Sequence, residues 1–145
     1  MNWIIVSDNP FKMAISKEGW TDEWYLTGAL AHKRHYAIYG GHPVNTPENY
    51  QKNSSLFHAQ HANTPTLFLM GNPVEGGIDK YDSVRWLYHA LQEKNIKTQY
   101  IFYPDEGHLF EQKNNLKDAF MRSMEWIESI FNKSALRNNN EKKIF

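Results

Sequence analysis

Thr64-Pro65-Thr66-Leu67-Phe68-Leu69-Met70-Gly71 decides the fold. A continuous apolar run bounded by proline and glycine is the pattern of a strand covered on both faces, as in a parallel sheet flanked by helices. Downstream, past the Gly/Pro-rich loop Asn72-Pro73-Val74-Glu75-Gly76-Gly77, Val84, Leu87, Tyr88 and Leu91 recur at helical spacing between Asp82 and Lys94. Asp82 places a favourable negative charge in that helix's first turn. Lys97 to Tyr103 alternates around Tyr100-Ile101-Phe102 and stops at Pro104, which predicts a further strand. Leu116, Phe120, Met124, Ile127 and Phe131 mark a last helix.

Upstream, Phe11 to Ser16 carries apolar residues at 11, 13 and 15 and predicts a short strand with one face well buried. Trp3 to Val6 reads as part of a helix that ends before Pro10. Residues 17–64 are punctuated by Gly40-Gly41-His42-Pro43 and Thr46-Pro47-Glu48, so they fit short helices and loops anchored by Trp20, Trp24, Tyr36, Tyr39 and Tyr50. The order is β, long connection, β, α, β, α. Such alternation implies an α/β fold with a parallel sheet and functional loops at the carboxyl ends of the strands.

The 145 residues hold 16 Lys+Arg against 16 Asp+Glu, so no global field steers nucleic acid or an anionic membrane. No run approaches the ~20 apolar residues of a membrane span. The absence of cysteine excludes disulfides, thiolate metal sites and cysteine nucleophiles together. These features lead us to expect a cytoplasmic protein with no nucleic-acid or membrane partner. With 41% hydrophobic and 14% aromatic residues, the chain has the material for a packed core.

Two strand-end loops carry candidate chemistry. Tyr103-Pro104-Asp105-Glu106-Gly107-His108 presents His108 at the sheet's edge, where an imidazole can act as a general base; a loop histidine bonded to backbone is the bland alternative. The loop after Gly71 contains Glu75 and Asp79, either of which could orient such a histidine; acidic residues in Gly-rich loops are otherwise simply solvated. A serine nucleophile on a Gly-x-Ser-x-Gly elbow is absent from these 145 residues. His32 with His35 and His58 with His61 are spaced for one helix face, but neither pair encloses a Cys or Glu, so no metal site is assigned. The Gly40-Gly41 pair lacks the spacing and trailing Lys of a phosphate loop and reads as a plain turn.

The chain resembles the prolyl oligopeptidase family of serine peptidases, which includes acylaminoacyl and dipeptidyl peptidases, over roughly residues 1–131. Met1-Asn2-Trp3-Ile4-Ile5 and Phe11-Lys12-Met13-Ala14-Ile15-Ser16 look like the segment following the family's nucleophile elbow. Gly40-Gly41-His42-Pro43, Pro47-Glu48-Asn49-Tyr50, Ser54-Ser55-Leu56 and Thr64-Pro65-Thr66-Leu67 follow in the family's order. The most specific match is Tyr103-Pro104-Asp105-Glu106-Gly107-His108, similar to the segment that carries the family's catalytic histidine.

The resemblance implies the last three parallel strands of an α/β-hydrolase fold with their flanking helices, an incomplete sheet. Residues 1–131 would form this partial domain, and 132–145 a polar, frayed tail. It implies His108 as general base, a peptide substrate and no cofactor. Val74 stands where the family's acid falls, which leaves Glu75, closer by position, or Asp79 for that role. The family's elbow serine would lie before Met1, so the chain by itself is expected to be inactive. The alternative is a truncated or split-gene half-domain that acts as an interaction partner, with self-association through an exposed sheet edge.

Overall fold

The computed structural model describes residues 2–24, 33–72 and 82–141, with residues 33–34 and 133–141 as helical backbone. Three strands, β1 (Ala14–Lys17), β2 (Thr66–Met70) and β3 (Thr98–Phe102), form one parallel sheet in the order β1-β2-β3. Register pairs Ala14 with Thr66 and Thr66 with Thr98, so the three carboxyl ends lie side by side. The helices are α1 (Trp3–Val6), α2 (Lys33–Tyr39), α3 (Pro47–Asn53), α4 (Asp82–Glu93) and α5 (Lys113–Glu141), with a 3-10 helix at Ser55–His61.

All five residues of β2 are buried, because both sheet faces are covered. Phe68 and Met70 point into a cluster with Ile5, Val6, Val84, Leu87 and Leu91, under α1 and α4. Leu67 and Leu69 point oppositely, to Tyr103, Phe110, Ala119 and Trp126 on the α5 side. Period-two side chains therefore serve two cores from one strand. The first strand begins later than Phe11, at Ala14: Phe11 is exposed, and the ladder starts where the Ala14 N–H donates to Pro65 O at 2.8 Å.

In α5 the apolar spacing marks the helix but not its buried face. Ala119 and Trp126 are buried, while Leu116, Phe120, Met124 and Phe131 are exposed. A small alanine lets the helix approach the sheet closely, and Trp126 fills the space beyond it. Helical backbone runs on past Phe131 to Glu141, through a stretch with no Pro or Gly to stop it.

The long connection is fastened rather than loose. Asn2 donates to Trp20 O (3.0 Å) and accepts from Ser16 Oγ (2.7 Å), which ties α1 to the exit of β1. Asp22 accepts the Trp24 N–H (2.9 Å), and Ser54 Oγ accepts the Glu23 N–H (2.8 Å). Tyr50, fully buried, donates to Gly41 O at 2.7 Å, beside Gly40 (φ 79°), which closes α2 as a left-handed glycine. The Gly40-Gly41 turn expected from sequence is thus a helix stop.

Candidate functional site

The carboxyl ends of the three strands bring together Lys17-Glu18, Gly71 and the loop Tyr103–Phe110. β3 hands over to its loop through two main-chain bonds: the Tyr103 N–H donates to Met70 O (2.8 Å), and the Glu106 N–H to Tyr103 O (3.2 Å) across Pro104-Asp105. Proline at the second position of such a turn presets its φ, which explains the local Tyr-Pro-Asp-Glu pattern. The Tyr103 ring packs edge-on against Phe110 at 4.9 Å between centroids, and its hydroxyl donates to Asp118 Oδ2 at 2.9 Å. Burial first, then that carboxylate, pushes the Tyr103 pKa up to about 12, so the hydroxyl stays a donor.

Glu106 is buried and fully engaged. Its carboxylate accepts the Glu111 N–H (2.8 Å), the Gln112 N–H (3.1 Å) and Asn115 Nδ2 (2.9 Å). Burial acts to raise its pKa; the Glu111 N–H, the Asn115 amide, the Gln112 N–H and the Lys17 charge together outweigh it and leave the group lowered. A carboxylate at the start of α5 also meets the positive end of the helix dipole. Glu106 therefore caps the helix that follows the histidine loop.

Gly71 lets this loop close onto β2. A Cβ there would lie 2.6 Å from both Glu106 O and Gly107 O, and the Asn72 N–H donates to Glu106 O at 2.5 Å. No larger residue fits between the two strand exits.

His108 lies on this loop with its side chain 63% exposed, beside an open concavity of about 570 Å³ lined by Asp105, Gly107, Leu109 and Gln112 among others. Its Nδ1 is 4.0 Å from Oε2 of Glu18, whose side chain is only 4% exposed. Glu18 Oε1 accepts the Gly71 N–H. Sequence reasoning did not single out Glu18; its signal was an acidic residue at the carboxyl end of a strand, on the edge where functional loops gather. Glu75 and Asp79 lie outside the described residues.

The other histidines are scattered. His58 Nε2 contacts Lys52 O (3.2 Å) and its ring lies 4.9 Å from Trp3. His42 Nδ1 accepts the Val44 N–H (3.2 Å), and His35 packs on Tyr39. His32 is outside the described residues. Among the described residues no three His, Cys, Asp or Glu gather as a metal site, and no helix is long and apolar enough to cross a membrane.

The fold has solved counterparts. An acylaminoacyl peptidase of Pyrococcus horikoshii superposes with a TM-score of 0.67 at 21% identity, covering 89% of this chain and 21% of that one. A puromycin-hydrolyzing peptidase of Mycobacterium tuberculosis gives 0.69 at 22% identity, covering 87% of this chain and 19% of that one. These likenesses show the fold, the carboxyl-terminal part of an α/β-hydrolase. In sequence, the acylamino-acid-releasing enzyme of Arabidopsis thaliana is 26% identical over 126 residues, 82% of this chain and 15% of that protein. The chain thus spans less than a quarter of the length of each of these relatives. The profile of the prolyl oligopeptidase family (Peptidase_S9) matches residues 1–134, and the chain belongs to that family.

Proposed function

We propose that this chain supplies the histidine half of a serine-peptidase site acting on short peptides or acylated amino termini. The observation that carries the reading is His108 at the carboxyl edge of the parallel sheet, on the Tyr103–His108 motif, in a chain matched by the family over residues 1–134. His108 accepts the proton of a serine hydroxyl as it attacks the peptide carbonyl and returns it to the leaving amine; a neighbouring carboxylate holds the imidazole's tautomer. Glu75 and Asp79 remain the candidates from sequence for that carboxylate. The nucleophile elbow comes from outside these 145 residues, which contain no Gly-x-Ser-x-Gly.

A second reading is favoured by the outer edge of β1. Ile4, Phe11, Met13 and Ile15 line an apolar groove of about 320 Å³ beside it, and among the described residues β1 pairs with β2 alone. Such an edge supports association with a further strand, from a second copy or from a chain bearing the elbow.

The test is hydrolysis of peptide p-nitroanilides and acetylated amino-acid amides. The purified chain is expected to show no turnover and no labelling by serine reagents. Adding a chain that carries a family elbow should give turnover that His108→Ala removes. Serine-reagent-sensitive hydrolysis by the 145-residue chain alone would overturn the half-site reading. Sedimentation separates the second: a monomer across the micromolar range counts against association through the edge.

A further inference from the structure

Glu18 is a buried carboxylate that faces His108 from outside the histidine loop. It is the first residue after β1, and its backbone is left-handed at φ 53°, a conformation costly for a residue with a Cβ. Its N–H still donates to Leu69 O at 3.1 Å, so the kink is held by the sheet itself. The kink turns the side chain across the strand ends, where it is 4% exposed. Oε1 takes the Gly71 N–H, and Oε2 faces His108 Nδ1 at 4.0 Å.

The neighbouring acids are differently placed. Both oxygens of Glu106 are engaged by residues 111, 112 and 115, and Asp105 is exposed on the turn. Lys17, the nearby cation, sits 4.2 Å over the Phe110 ring. Gly71 has a double part: its N–H aims one oxygen of Glu18, and its lack of a side chain admits the loop that brings His108 within reach. Catalytic hydrogen bonds are commonly long before substrate binds, and the His108 ring is mostly exposed.

We propose that Glu18 is the positioning residue of His108: its carboxylate accepts a hydrogen bond from the Nδ1–H, which keeps the proton on Nδ1 and leaves the lone pair on Nε2 to take a proton from the nucleophile. This deepens the peptidase reading and rests on it for the use of Nε2. It assigns the orienting carboxylate to the exit of β1, in place of Glu75 or Asp79.

The experiment is side-chain nitrogen NMR on the 15N-labelled chain at about pH 8, where imidazoles are neutral. His108 is expected as the Nδ1–H tautomer. Glu18→Gln keeps an oxygen for the Gly71 N–H but turns an N–H toward the ring, so His108 should revert to the Nε2–H tautomer, with His42 and His89 unmoved. Glu75→Gln and Asp79→Asn should leave His108 as it is. An unchanged His108 in Glu18→Gln, or a change with either of the other two, overturns the proposal.

Should Glu18→Gln not fold, His108→Ala, at an exposed position, gives the reciprocal measurement. The Glu18 carboxyl carbon should show a step as His108 titrates and lose it in His108→Ala; no step in the parent chain overturns the pairing. Neither readout needs turnover. Failure of the elbow-addition assay therefore leaves the pair standing, and failure of the NMR test leaves the peptidase reading standing.

Discussion

The exits of β1 and β3 each bury a glutamate, and the two are held in opposite ways. Glu106, after β3, finds its donors five to nine residues ahead, just before and within the first turn of the helix it caps. Glu18, after β1, finds a donor 53 residues away at the exit of the central strand, and a histidine on the loop after the strand beyond. A carboxylate occupied by two main-chain N–H groups and a side-chain amide serves structure, since its ionised form is favoured. Glu18 instead takes the Gly71 N–H on one oxygen and turns the other toward an imidazole.

Four substitutions sharpen this contrast. Gly71→Ala strikes both exits, because the new methyl must displace the Glu106 and Gly107 carbonyls. A loss of about 3 kcal/mol in urea unfolding is expected, with broadened His108 resonances. A loss under ~0.5 kcal/mol would mean that the two loops are not wedged together.

Glu106→Gln should come next, and its effect depends on pH. Because the folded group titrates below its ordinary value of 4.5, its stabilisation is fully present above that pH and is lost as pH falls through the folded pKa. The acid limb of a stability-pH curve should therefore be shallower in Glu106→Gln, and the two proteins should converge at low pH. Identical limbs would show that the cap contributes no charge-dependent stability.

Lys17→Met probes the bridge between the exits. Replacing the ammonium over Phe110 should cost about 0.5–1 kcal/mol, and the difference should be largely insensitive to acid above pH 5. The smallest change belongs to His108→Ala, within about 0.5 kcal/mol of the parent in thermal unfolding, since its ring is mostly exposed. A large destabilisation there would make His108 a packing residue rather than a functional one.

Much of the fold was legible because its signals are local. Thr66–Met70 reads as a doubly covered strand from five residues, and α4 from the spacing of Val84, Leu87 and Leu91, all of them buried. The Tyr103–His108 loop was legible for the same reason: proline, glycine and histidine act within one turn. The start of β1 and the buried face of α5 were not, because they depend on partners. Phe11 is apolar yet lies more than half exposed before the ladder begins, and Ala119 beats Phe120 to the sheet by being small.

Sequence by itself determined the order of strands and helices, the edge on which chemistry could gather and the family, since each rests on short-range patterns of polarity and turn residues. Only the tertiary structure decided that Glu18 faces His108. That contact joins residues 90 positions apart through parallel register and a left-handed kink, and no periodicity along a chain encodes which side chains three separate strands deliver to the same point.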